Sequence, residues 1–192
     1  MAADDRNLRL IEVASAVLHA APGHSLNAVV LNKVLFYIDL ATLRDRGETL
    51  TQNPYVALQN GPVIAKYQNR LIDRLNELGI ARQISQWDGS KPIVLEVFPT
   101  QFQFLNSEDM IKVSDVTSFF ADSTSRIASE FSHRNPGWQL ARNQYQRDRK
   151  PVAVNMRIAL QQIIEADPWM LRPISDGNQM LSNADAAIGE DW

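Results

Sequence analysis

LNKVLFYIDLATLRDRGETLTQNPYVALQNGPV, running from Leu31 to Val63, is the stretch on which the fold turns. Between Leu26 and about Arg46, Leu26, Val29, Val30, Leu31, Val34, Leu35, Phe36, Ile38, Leu40 and Leu43 surround most of a helix. A helix that is apolar on nearly every side is predicted to be central and buried. Gly47 supplies the left-handed residue that ends it. Tyr55 to Leu58 reads as a short strand. Asn60-Gly61-Pro62 reads as a turn that delivers Pro62 to the first position of a new helix running to Leu78.

On the N-terminal side, Leu10, Val13, Ala14, Val17 and Leu18 form a helical stripe over residues 5–20, stopped by Ala21-Pro22-Gly23. On the C-terminal side, the stripe Ile64, Tyr67, Leu71, Leu75 and Leu78 points inward and Gly79 caps it. The period then changes. Ile80 to Trp87 and Ile93 to Phe98, joined by Asp88-Gly89-Ser90, have the composition of a hairpin. Ser114 with Asp115 is predicted to start a helix carrying Val116, Phe119, Phe120, Ser123, Ile127 and Phe131. A polar link from Ser132 to Gly137 leads to a short helix around Trp138 to Tyr145 and another from about Val152 to Ala166. The expectation is a mainly α, α+β domain of about six helices with a small antiparallel hairpin, spanning residues 1–172. Residues 173–192 are expected to be a flexible acidic tail.

Bulk properties narrow the function. Of 192 residues, 45% are hydrophobic and 21% charged, which is globular, and no apolar run reaches the roughly 18 to 20 residues of a membrane span. The start, Met1-Ala2-Ala3-Asp4-Asp5, lacks the basic and then apolar pattern of a secretory signal, so a cytoplasmic protein without membrane contact is expected. The absence of cysteine removes disulfides, thiolate zinc sites and cysteine nucleophiles. His19, His24 and His133 are scattered, so neither a metal nor another cofactor is expected. The net charge is -3. Residues 173–192 hold Asp176, Asp185, Glu190 and Asp191 with no Lys or Arg, so the acid sits in the tail and residues 1–172 carry +1. Between Arg134 and Arg157, six basic residues face one acid, Asp148. That run can bind nucleic acid or an acidic protein surface, although a solvated helix face is the commoner explanation.

Within the central helix, Lys33 and Tyr37 lie one turn apart and share a face, while Asp39 projects elsewhere. Burying such groups unpaired is costly. They build either a polar docking surface or a set of satisfied core residues, with Lys33 extended along its stem and Asp39 bonded to a neighbouring segment. His133 and Trp138 flank a rigid polar loop, where a histidine is more often structural than a general base. No nucleophile, base and orienting group stand at a recognisable spacing, so the chain is not expected to be an enzyme. A winged-helix regulator, with Lys66, Asn69, Arg70 and Arg74 as the reading face, is the runner-up. Asp73 and Glu77 interrupt that face, and Leu31 to Tyr55 is too long for the usual tight turn, so direct nucleic-acid contact ranks behind protein contact.

The Leu31–Val63 stretch, followed far downstream by Phe131-Ser132-His133-Arg134-Asn135-Pro136-Gly137-Trp138, resembles the Panacea domain, the family that includes many antitoxins and the SocA-type proteolytic adaptor. The marks are Leu31, Lys33, Leu35, Tyr37 and Asp39, then Gly47, Leu50 and Tyr55, then Gly61-Pro62-Val63, and last Ser132, His133 and Trp138. Their joint order carries the resemblance over roughly residues 5–166. It implies an antitoxin of a bacterial or phage system that neutralises a co-encoded protein toxin by forming a complex, without chemistry of its own. For a subset of the family it also implies a protease as a second partner, and it leaves a homo-oligomer open. By the same resemblance, Lys33, Tyr37, Asp39, Tyr55, Gly61, Pro62, Ser132, His133 and Trp138 are the partner-binding candidates.

Overall fold

The computed structural model describes residues 3–170. Helix α1 (Ala3–Ala20) leads through a single 3-10 turn to strand β1 (Ser25–Leu26) and the central helix α2 (Ala28–Arg46). All residues of α2 from Val29 to Thr42 are buried. The Asn27 side chain accepts a hydrogen bond from the Val30 amide to start the helix, and Gly47, at φ 78°, ends it with its amide donating to the Leu43 carbonyl. Helices α1, α4 (Ser107–Phe120) and α5 (Ser125–His133) pack around it, placing Tyr37 among the rings of Phe36, Phe120 and Phe131.

Strands β2 (Tyr55–Leu58) and β3 (Gly61–Ile64) form a two-stranded antiparallel hairpin with Leu58 opposite Gly61 and Ala57 opposite Pro62. This corrects the expected helix start at Pro62. The register explains why proline is tolerated in a strand. The Ala57 amide turns away from β3 and donates to the Val152 carbonyl, so Pro62 stands where the ladder asks for no N–H. Helix α3 (Asp73–Glu77) follows a π-helical turn at Gln68–Ile72, with Leu71 and Leu75 buried as expected and Leu78 exposed. The helix expected from Pro62 thus starts only at Gln68, behind a hairpin that the winged-helix order does not contain. Of the four side chains proposed for the winged-helix reading face, two are engaged: Arg70 donates to Asn53, and Arg74 pairs with Glu77.

The second sheet has the order β1-β5-β4, all antiparallel, from β4 (Ala81–Gln83) and β5 (Ile93–Leu95). The expected hairpin is there, shorter than the sequence suggested, with Trp87 wholly exposed at its tip. The addition of β1 was not anticipated, because two residues carry no period.

Where one helix was expected from Ser114 through Phe131, two form. The first starts earlier, at the capping box of Asn106 and Asp109, and the second starts at Thr124, whose side chain accepts from the Ile127 amide. Both caps are short polar residues just ahead of an apolar period, and each satisfies amides that a continuous helix would not leave free. Helix α6 (Pro136–Asp148) is longer than expected. The helix expected from Val152 to Ala166 is instead an extended piece at 152–154, helix α7 (Met156–Ala159) and a 3-10 turn at Leu160–Ile163. Its first residues are drawn into sheet pairing, since the Val154 amide donates to the Tyr55 carbonyl at 2.8 Å. Seven α-helices thus occur among the described residues, and the fold is α+β, mainly α. The expected acidic tail, 173–192, lies outside the described residues.

Candidate functional site: a clamped hairpin

The β2–β3 hairpin is embedded in the helical body, so its outward polar groups need partners other than water. The side chains marked in the sequence supply most of them. Lys33, with no exposed surface, donates from Nζ to the Pro62 carbonyl at 3.2 Å. Asn32, one residue earlier on α2, accepts from the Ile64 amide at 3.0 Å through Oδ1, while its Nδ2 returns to the Ala28 carbonyl. Asn32 and Lys33 thus stand in for the missing neighbour along the outer edge of β3.

The turn is held from the other side. Trp138 donates from Nε1 to the Leu58 carbonyl at 3.1 Å, His133 from Nε2 to the Gln59 carbonyl at 3.0 Å, and Ser129 from Oγ to the Asn60 carbonyl at 3.1 Å. The rings of His133 and Trp138 are stacked, 4.3 Å between centroids and 13° from parallel. The Gln139 amide, donating to the His133 carbonyl, ties the end of α5 to α6. Four carbonyls in five residues, those of Leu58, Gln59, Asn60 and Pro62, are therefore taken by side chains from α2, α5 and α6. At about 0.5–1.5 kcal/mol apiece these bonds fix the hairpin as one unit with the helices. Ser132 is buried, donates to the Ser129 carbonyl at 2.8 Å, and lies against Gly61. Gly61 has φ 109°, a left-side conformation that favours glycine, and only a missing side chain leaves room for Ser132 and Lys33.

Burial and charge act strongly here. Burial pushes the Lys33 ammonium down to about 7, and among the described residues no carboxylate lies against it to oppose that. Burial also lowers the His133 imidazole, and although its bond to Gln59 opposes this, Lys33 nearby adds to the lowering. His133 is thereby kept as a neutral ring whose Nε2–H faces a carbonyl.

Asp39 serves a second junction. Its carboxylate accepts from the Thr51 amide at 2.7 Å, from the Thr51 hydroxyl and from the Tyr55 hydroxyl at 2.9 Å. Burial raises it to about 6 while these donors pull it back. Tyr37 serves a third. It donates to Gln162 Oε1 at 2.8 Å, the same oxygen that receives Asn135 Nδ2 at 2.8 Å, and Gln162 Nε2 in turn reaches the Phe131 carbonyl.

Of the nine candidates, Lys33, Gly61, Pro62, Ser132, His133 and Trp138 meet at one hairpin, while Tyr55 and Asp39 anchor its lower end and Tyr37 lies in the network behind it. Eight of them are buried, and His133 alone is partly accessible. Asn32, Ser129, Asn135 and Gln162 belong to the same arrangement and were not among the candidates. Asn32 offered a signal, as an amide inside a largely apolar helix; the other three look like ordinary cap and surface residues.

Lys33, Asp39 and His133 each bond to a different backbone or hydroxyl group, so no hydrogen-bonded catalytic set forms from them. Among the described residues, no three His, Asp or Glu side chains gather in a way that would hold a metal ion, and no helix is long and apolar enough to cross a membrane.

No curated protein and no solved structure matches the sequence significantly. A family model described as antitoxin SocA-like, Panacea domain, matches residues 31–139, more than half of the chain. The matched segment opens on α2 at Leu31 and closes at Gln139, so it holds the hairpin and every side chain that clamps its turn. The chain belongs to the SocA-like antitoxin Panacea domain family.

Proposed function

We propose that this protein is an antitoxin that neutralises a co-encoded protein toxin by direct complex formation in the cytoplasm. The observation that carries the reading is the match of an antitoxin family over residues 31–139. The clamped hairpin supports it physically. A hairpin tied to three helices loses little further freedom when a partner docks, and preorganisation of this kind favours tight binding. The partner-binding candidates then act in two ways. Lys33, Tyr37, Asp39, Tyr55, Gly61, Pro62, Ser132 and Trp138 hold the frame from within. His133, with exposed Gln59 and Arg134 beside it, presents the rim that a partner can touch. Trp87, wholly exposed on the other hairpin, is a second accessible anchor of the residue type that dominates interface energetics.

The test is co-expression with the product of the adjacent gene. Growth arrest by the neighbour alone, rescue by this chain and one co-purifying complex are expected. Normal growth with the neighbour alone would overturn the reading. Rescue that requires an intact cellular protease and removes the neighbour's product would instead assign delivery to a protease.

A further inference from the structure

Helix α6 contains two different halves. In the first, Gly137, Trp138 and Ala141 are buried against the hairpin and α7. In the second, Asn143, Gln144, Gln146, Arg147 and Asp148 are exposed and only Tyr145 is partly covered. The exposed half carries a specific chemistry. Asn143, Gln146 and Arg147 are spaced three and four residues apart and so share a face. None of the three side chains makes a hydrogen bond among the described residues.

The charge around this half is likewise unspent. Arg142, Arg147, Arg149 and Lys150, on this half or just past its end, form no ion pair among the described residues, and Arg142 only lies over the Tyr145 ring at 4.9 Å. Elsewhere among the described residues Arg44, Arg46, Arg74, Arg82, Lys112 and Arg126 each pair with a carboxylate, while Lys66 and Arg70 stand singly without an ion pair rather than in a run. An uncompensated cluster of this kind is a footprint for a polyanion.

From these features we infer that the outer half of α6 is a duplex-DNA-binding helix that enters the major groove. A purely electrostatic patch would need only the cations. The free amides add the donor and acceptor pair that fits adenine, and Arg147 beside them fits guanine. Arg149 and Lys150, just past the helix end, are placed to contact phosphates and set the register. The 13 residues of α6 span about 20 Å, and its exposed half lies beyond the buried half that anchors it. This activity is independent of toxin neutralisation, because it uses a surface outside the hairpin clamp.

The experiment uses the full chain and a pool of random-sequence duplexes, with enrichment followed by fluorescence anisotropy on the enriched duplex. Binding should weaken steeply with potassium chloride, and Arg147→Glu with Lys150→Glu should lower affinity by about tenfold or more. Asn143→Ala and Gln146→Ala should relax the enriched sequence while leaving the salt slope in place. All four positions are exposed, so unchanged circular dichroism and Tm will separate lost contact from lost fold. Arg74→Glu, on α3, should change nothing. The inference is overturned by absence of salt-dependent duplex binding, or by binding that α6 charge reversal leaves intact. Equal affinity for single strands and heparin with no enriched sequence, or binding to acidic protein surfaces alone, also overturns it.

Discussion

Gly61 approaches Lys33 so closely that a methyl group in place of its α-hydrogen would lie 2.7 Å from Cε and 2.8 Å from Nζ of the lysine. The methyl would also collide with the Ser132 hydroxyl. The three residues come from β3, α2 and α5, so their contact joins the hairpin to two helices at one point. Gly61→Ala must therefore displace two buried polar groups and adopt a φ of 109° with a side chain. Overpacking and backbone strain together should cost about 2–5 kcal/mol. Denaturant unfolding measures this, and a loss below about 0.5 kcal/mol would mean that the close approach is not required.

Lys33 makes stability depend on pH in a definite direction. Its ammonium has the ordinary lysine value, near 10.5, in the unfolded chain and about 7 in the fold. Between these values the unfolded state binds the extra proton, so folding stability rises with pH through the window and is lost as pH falls toward 7. The slope from one proton approaches about 1.4 kcal/mol per pH unit. Lys33→Met keeps the apolar stem and removes the titration, although it leaves the Pro62 carbonyl without its donor. Stability curves for the two proteins between neutral and alkaline pH should converge or cross. Parallel curves would show that Lys33 does not titrate in that range.

The fold was legible where one period ran long enough to be read. α2 announced itself because its residues are apolar on every side, and Gly47 because only a left-handed residue could follow. The hairpin at Gly61 was misread because proline near a turn signals a helix start as readily as a strand position that needs no N–H. The difference lies in the Ala57–Val152 pairing, between residues 95 positions apart. The break between α4 and α5 was hidden because Phe119, Phe120 and Phe131 keep helical spacing across it. For the site, Lys33, Gly61, Ser132, His133 and Trp138 could be named from their order along the chain. Their common purpose could not, since backbone carbonyls leave no trace in a sequence.

Asp39 tests whether the lower end of the hairpin depends on charge or on shape. Asp39→Asn preserves size but offers one acceptor oxygen where three donors converge, and turns an NH2 toward at least one of them. A loss of about 1–3 kcal/mol is expected, from a buried donor left unmet. Tyr55→Phe removes one of the three donors, so in the Asp39→Asn background it should cost less than it does alone. Additive effects in a double-mutant cycle would show that the two residues do not share this junction.

Trp138 and His133 hold adjacent carbonyls while stacking on each other, which makes the outer clamp a coupled pair. Trp138→Phe retains an aromatic ring for His133 but deletes the donor to the Leu58 carbonyl, so about 1 kcal/mol should be lost. His133→Ala removes both the stack and the bond to Gln59. If stacking contributes beyond area, a cycle between Trp138→Ala and His133→Ala should show a coupling of about 0.5–1.5 kcal/mol. The same variants separate frame from rim in partner binding. Trp138→Phe acts only by loosening the hairpin and should weaken the complex through faster dissociation, in proportion to the stability it loses. His133→Ala changes the accessible rim as well and should weaken it further than its own stability loss accounts for. Surface plasmon resonance on the complex, set beside unfolding free energies, distinguishes the two, and equal behaviour of both variants would move the contact surface away from His133.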